Sequence, residues 1–240
     1  MKTLTFIAIV LSAGAIAGVI LAALNQGVVE PYLERAIELE NKAAAAEGEI
    51  INPTEYAAYR FWQKGGSIAG GAVLGLSYGA LFGLVFAYAR SAIPGSNNLK
   101  KALLLSGIMW FVLYLVVAIK YPANPPAVGD PATIYVRQSL YMAMIAISGF
   151  TALGMAVLYR KMHSKSRKFI VPAIYAAIIA VAFVALPPNP DPITAPMDLV
   201  MGFRVASAIT MTVFWVVLGA IVGVFWDKLK PHETARIKAA

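Results

Sequence analysis

The chain has 240 residues, 60% of them hydrophobic and only 13% charged, with a formal net charge of +8 and no cysteine. No disulfide, thiolate metal site or cysteine nucleophile is possible in such a chain. An apolar excess of this size points to a bilayer rather than to a water-soluble core.

Six uncharged apolar runs have the length that a hydrocarbon layer about 30 Å thick requires. They are Leu4–Leu24, Ser67–Ala89, Ala102–Ile119, Ser139–Leu158, Phe169–Leu186 and Val205–Phe225, and none contains Asp, Glu, Lys, Arg or His. They lack the alternation of barrel strands, so they read as helices with internally satisfied backbones. The expected fold is an all-α integral membrane protein, a single membrane domain over 1–240, with six spans arranged as three hairpins. The first run, led by Lys2, resembles the start of a signal peptide. At about 21 residues it is longer than a usual signal core, and no clear A-x-A site precedes Asn25, so a retained first helix is expected. Its Gly14-x-x-x-Gly18 spacing suits helix packing.

Between the first two runs lies a long acidic segment. Pro31 fits a first helical turn, with Glu30 and Glu34 near its positive end. A short extra outer helix is expected over about 31–47, stopped by Gly48, and Asn52-Pro53 should make a turn before Thr54–Trp62 leads into the second span. Glu34 and Glu38 lie one turn apart and should repel unless a base or a cation sits between them. Such an acidic surface either gathers cations or simply keeps an outer cap solvated.

The second span is rich in glycine, and Gly71, Gly75, Gly79 and Gly83 recur every four residues on one stripe. That spacing predicts close approach of another helix. Gly219-x-x-x-Gly223 in the sixth span is the expected partner, or a seam in a homo-oligomer.

The third and fourth spans enclose a proline-dense loop, Lys120-Tyr-Pro-Ala-Asn124-Pro-Pro-Ala-Val-Gly-Asp130-Pro, followed by Arg137 and Tyr141. The fifth and sixth enclose a shorter version, Leu186-Pro-Pro-Asn189-Pro-Asp191-Pro, followed by Asp198 and Arg204. Prolines at this density end helices and narrow the backbone to few shapes. Arg60, Arg137 and Arg204 each precede a returning span, a weak internal repeat of the kind transporters show. Each arginine either pairs with loop acids or anchors its helix end by snorkelling.

Charge orients the chain. With both termini in the cytoplasm, Lys2, Arg90, Lys100, Lys101, Arg160, Lys161, Lys165, Arg167, Lys168, Lys228, Lys230, Arg236 and Lys238 lie inside, 13 of the 20 bases. This is the positive-inside pattern of an inner, cytoplasmic membrane protein. Bases scattered over four juxtamembrane stretches do not make a nucleic-acid footprint. His163 and His232 lie in those stretches and read as surface residues. No H-E-x-x-H, P-loop or G-x-S-x-G occurs, so neither an enzyme nor a resident cofactor is expected. Polar residues within the spans, such as Ser106, Tyr114, Tyr141, Ser148, Tyr175, Thr210 and Thr212, could line a narrow path, although packing is their commoner role.

The first loop, with Arg137 and Tyr141 behind it and Glu30-Pro31 after the first span, resembles the CbtA-type predicted cobalt transporter subunits. The resemblance is densest over residues 119–148. It implies a membrane subunit assigned to cobalt uptake, alongside a small single-span partner with a histidine-rich end. It also implies one span fewer than the six read here. A divalent first-row ion takes imidazole, carboxylate and water ligands. The candidate entrance ligands are therefore Asp130, Asp191, Asp198, Asn124, Asn189 and Glu30, with any imidazole coming from the partner. The expected function is a divalent-metal permease subunit, cobalt being substrate. The alternative is a structural or assembly subunit of a larger membrane complex that transports nothing.

Overall fold

The computed structural model describes residues 2–48, 52–126 and 128–232. The expected residues Lys238 and Arg236, and Ala127 of the first proline loop, lie outside the described residues. Eight α-helices occur among them: α1 (Thr3–Leu24), α2 (Glu30–Ala46), α3 (Pro53–Ala89), α4 (Asn98–Trp110), α5 (Val116–Lys120), α6 (Ile134–Lys161), α7 (Arg167–Ala185) and α8 (Met197–Leu229). No strand occurs among the described residues. Six helical stretches are long and apolar enough to cross a membrane, so the protein is multi-pass. Large apolar side chains on their outer faces, such as Val184 at 88% and Tyr88 at 78% exposure, are in keeping with a lipid solvent.

The outer helix differs from expectation in one respect. It is not a separate piece: α1 continues into α2 through a π-helical turn at Asn25–Val29. The widened turn lies directly ahead of Pro31, whose ring would otherwise clash with the carbonyl one turn back. α3 is likewise longer than its apolar run, 37 residues or about 55 Å. Its start is defined as the Asn52-Pro53 pair suggests, because the Asn52 side chain accepts from the Thr54 N–H at 3.0 Å and Pro53 needs no donor there.

The chain divides into two compact units, Met1–Ile108 with Val205–Ala240, and Met109–Arg204. In the first unit, α1 and α3 meet along their glycines. A Cβ at Gly79 would lie 2.7 Å from the Gly14 Cα, and one at Gly75 would lie 2.6 Å from the Gly18 Cα, so neither position admits a side chain. This corrects the expected pairing. The partner of the α3 stripe is Gly14-x-x-x-Gly18 of α1, whereas Gly219 and Gly223 of α8 lie against Ser106, Ala102 and Leu99 of α4. The reason is that Gly14 and Gly18 alone offer α3 a bare backbone. Gly219 and Gly223 instead receive a serine and an alanine.

Aromatic rings fill the rest of this unit: Phe82 stacks on Phe86, and Phe6 and Phe86 meet Trp226 edge-on. Asp227 closes the α4 N-terminus, accepting from the Asn98 side chain at 2.7 Å and from the Asn98 and Leu99 backbone at 3.2 and 3.3 Å. A carboxylate there answers both the orphan N–H groups and the helix dipole.

In the second unit, Val116, Val117, Tyr121, Met144, Ile179 and Ala182 form the core. A second π-helical turn, Phe111–Leu115, interrupts the third span. The Ser148 hydroxyl donates to the Val112 carbonyl within that turn at 2.5 Å, which leaves the Tyr175 hydroxyl, 2.8 Å away, to donate to Ser148. Three further span hydroxyls are similarly engaged. Thr210 and Thr212 bond carbonyls of their own helix, and Ser106 bonds the Trp215 carbonyl. These hydroxyls satisfy backbone carbonyls inside the helical packing.

Candidate functional site

The two proline loops fold together. Prolines end α5 and α7 on either side of the same core, and Tyr121 ties the loop bases by donating to the Pro187 carbonyl at 2.6 Å. Burial raises the Tyr121 phenol above its ordinary pKa, which keeps it a donor. Lys120 donates to the Phe183 carbonyl in the last turn of α7 at 2.8 Å, the favourable end of that helix for a cation.

Above these ties the arginines brace the loops reciprocally. Arg137, on α6 behind the first loop, reaches the second: its Nε lies 3.0 Å from the Asp191 carboxylate. Arg204, on α8 behind the second loop, reaches the first, donating to the Asn124 side-chain oxygen at 2.7 Å and to the Ala123 carbonyl at 3.3 Å. Asp191 is 6% exposed, and one of its oxygens also takes the Thr133 hydroxyl at 2.7 Å and the Asp130 N–H at 3.1 Å. A buried carboxylate oxygen that gathers three partners is a structural tie. Gly129 makes the close approach possible. Its φ is +115°, and a Cβ there would meet the Arg137 guanidinium and lie 2.8 Å from the Asp191 carboxylate.

The loops and helix ends enclose a cavity of about 290 Å³ lined by Tyr114, Tyr121, Asn124, Arg137, Tyr141 and Asn189 with Ala118, Pro122, Ala123 and Leu140. Tyr114 stands on the π-helical turn, a distortion that recurs at functional sites. A shallower groove shares Arg137 and Tyr141 with it.

The six candidate ligands fall as follows. Asn124 and Asn189 line the cavity. Asp191 sits behind Arg137, and Asp130 is exposed, its side chain accepting from Ala132 N–H at 2.8 Å to start the short 3₁₀ turn Pro131–Thr133. Asp198 lies in the first turn of α8. Glu30 belongs to the other unit, where it is bound by bases: Arg60 at 2.5 Å and Lys64 at 3.3 Å. The same two bases hold Glu34, at 2.9 and 2.8 Å, while Glu38 pairs with Lys42 at 2.7 Å. The Glu34–Glu38 repulsion is thereby offset, and hydrogen bonds from Lys64 and then Arg60 bring the Glu34 carboxyl down to a pKa of about 2. Among the described residues no three His, Asp or Glu side chains group as a metal site.

Each repeated arginine thus clamps a segment that is remote in sequence. The repeat signalled arginines with a common role, but not the crossing of their partners. Tyr121 was legible only as a member of the loop motif.

A family model described as a probable cobalt transporter subunit (CbtA) matches residues 3–227. No curated protein and no solved structure matches the chain.

Proposed function

The chain belongs to the CbtA family of probable cobalt transporter subunits, and from that premise we propose that it is the permease subunit of a divalent-cation uptake system with cobalt as substrate. The observation that carries the reading is the pair of cross-braced proline loops around one cavity in the unit Met109–Arg204. In this reading the cavity is the outer entrance. The basic ends of the spans lie in the cytoplasm, and the protein sits in the cytoplasmic membrane. The α1–α3 seam admits no side chain, hence no hydrated ion, and serves as scaffold. Imidazole ligands come from a second subunit with a histidine-rich end, because the entrance of this chain offers amides, phenols and the Arg137 guanidinium but no imidazole.

The test is radioactive cobalt accumulation in cells expressing the chain with that partner, compared with the Arg137→Gln, Arg204→Gln double variant after checking membrane insertion. Saturable uptake that falls sharply in the variant supports the reading. Uptake no higher than in empty cells refutes transport by this subunit. One observation favours the second reading, an assembly subunit: the spans carry no ionisable residue to relay a proton or an ion.

A further inference from the structure

The cavity's own hydrogen-bonding sense indicates what enters it. The orientation of Asn124 is settled by its partner. A guanidinium only donates, so the oxygen faces Arg204 and the amino group remains available to donate. Asn189 is settled in the same way, since its oxygen accepts the Asp191 backbone N–H at 3.2 Å. Arg137 spends Nε on Thr133 and Asp191 and Nη2 on the Asp130 carbonyl, and its Nη1 bonds nothing among the described residues. The Asn124 and Asn189 oxygens are thus both engaged within the loops, and the lining presents as donors two amide N–H₂ groups, the Arg137 guanidinium and the hydroxyls of Tyr114 and Tyr141, which can also accept.

The charge follows the same sense. Among the described residues Arg137 is the only charged one of the lining. Bonded directly behind the wall stand Arg204 and Lys120, against Asp191 and the exposed Asp130. A bare divalent cation at this place would meet a guanidinium without a carboxylate of its own, an unfavourable exchange for its water shell. An oxyanion would meet the Arg137 guanidinium and could accept from the amide and phenol side chains of the lining. A volume of about 290 Å³ is near the lower end of small-molecule sites.

We propose that this cavity binds a small polycarboxylate, free or as the ligand shell of a metal ion, so that the metal arrives as an anionic chelate rather than as the aquo cation. The metal half of the proposal rests on the transport reading above. The carboxylate half rests on the donor set alone.

The experiment is equilibrium dialysis of the intact chain in phosphatidylcholine nanodiscs, where no anionic headgroup competes. The probes are labelled citrate, cobalt(II)–citrate and cobalt chloride. Saturable citrate binding is expected in at least one of the first two arms. Asn124→Asp and Asn189→Asp keep the oxygens that the loops use but replace each donor by a negative charge, and each should weaken citrate binding about tenfold or more. Those substitutions give the opposite sign for a cation site, where cobalt chloride would bind and bind more tightly. That result, or no citrate binding in either arm, overturns the proposal. Citrate binding with cobalt absent but no cobalt–citrate binding keeps the anion site and removes metal delivery through it. Failed cobalt uptake alongside intact citrate binding removes the transport reading alone.

Discussion

Replacing Gly75 by alanine tests the seam that holds the first unit together. The new methyl would lie 2.6 Å from the Gly18 Cα and 2.8 Å from its nitrogen, both backbone atoms that cannot rotate away. Carbon atoms rest about 3.5–4.0 Å apart, so α1 and α3 must separate by roughly 1 Å along the seam. Overpacking of this kind costs about 1–3 kcal/mol. Gly70→Ala, on the same helix, is the internal control, because a Cβ there meets nothing within 4 Å. Both substitutions share the same gain in helix propensity, up to ~1 kcal/mol, so their difference reports the clash alone. Thermal unfolding of purified protein in detergent, followed by loss of the monodisperse chromatographic peak, should place the Gly75→Ala midpoint roughly 2–12 °C below that of Gly70→Ala. Equal midpoints for the two variants would refute packing of α1 on α3 through this stripe.

Ser148→Ala removes a fully buried hydroxyl and leaves the Val112 carbonyl of the π-helical turn without its donor. A loss of about 0.5–2 kcal/mol is expected in the same unfolding assay, and Ser148→Thr should recover part of it. Glu30→Gln keeps the shape of a side chain that is 13% exposed but withdraws charge from Arg60 and Lys64. The expected cost is about 1–3 kcal/mol, and the pairing with Glu34 should keep the variant folded, as a chromatographic profile would show. Acid should loosen the same network. The Glu34 carboxyl is depressed from 4.5 to about 2, so its contribution is whole above pH 4.5 and is lost as pH falls through about 2. A stability–pH curve measured across that window should flatten in Glu34→Gln, and an unchanged slope would remove Glu34 from the network.

The sequence by itself determined the class of the protein, its six spans and the positions of its punctuation. These are local properties: an uncharged run of about 20 residues can settle only in hydrocarbon, Asn52-Pro53 can start a helix without any distant partner, and prolines end α5 and α7 wherever those helices lie. The glycine stripe was equally legible as a demand for close contact. Which helix answered it was not, because Gly14-x-x-x-Gly18 and Gly219-x-x-x-Gly223 present the same spacing, and only three-dimensional packing tells a bare backbone from one facing Ser106. The candidate site divides along the same line. Asn124, Asn189, Asp130 and Asp191 stood out as a repeated loop composition, read as carboxylates and amides that offer oxygen to a cation. Tertiary structure decided how those oxygens are used: Arg137 and Arg204 cross between hairpins and take up Asp191 and the Asn124 oxygen, which leaves the Asn124 amide to act as a donor beside the cavity. A hydrogen bond between residues 80 apart leaves no trace in either local stretch, and it is this bond that orients the Asn124 amide.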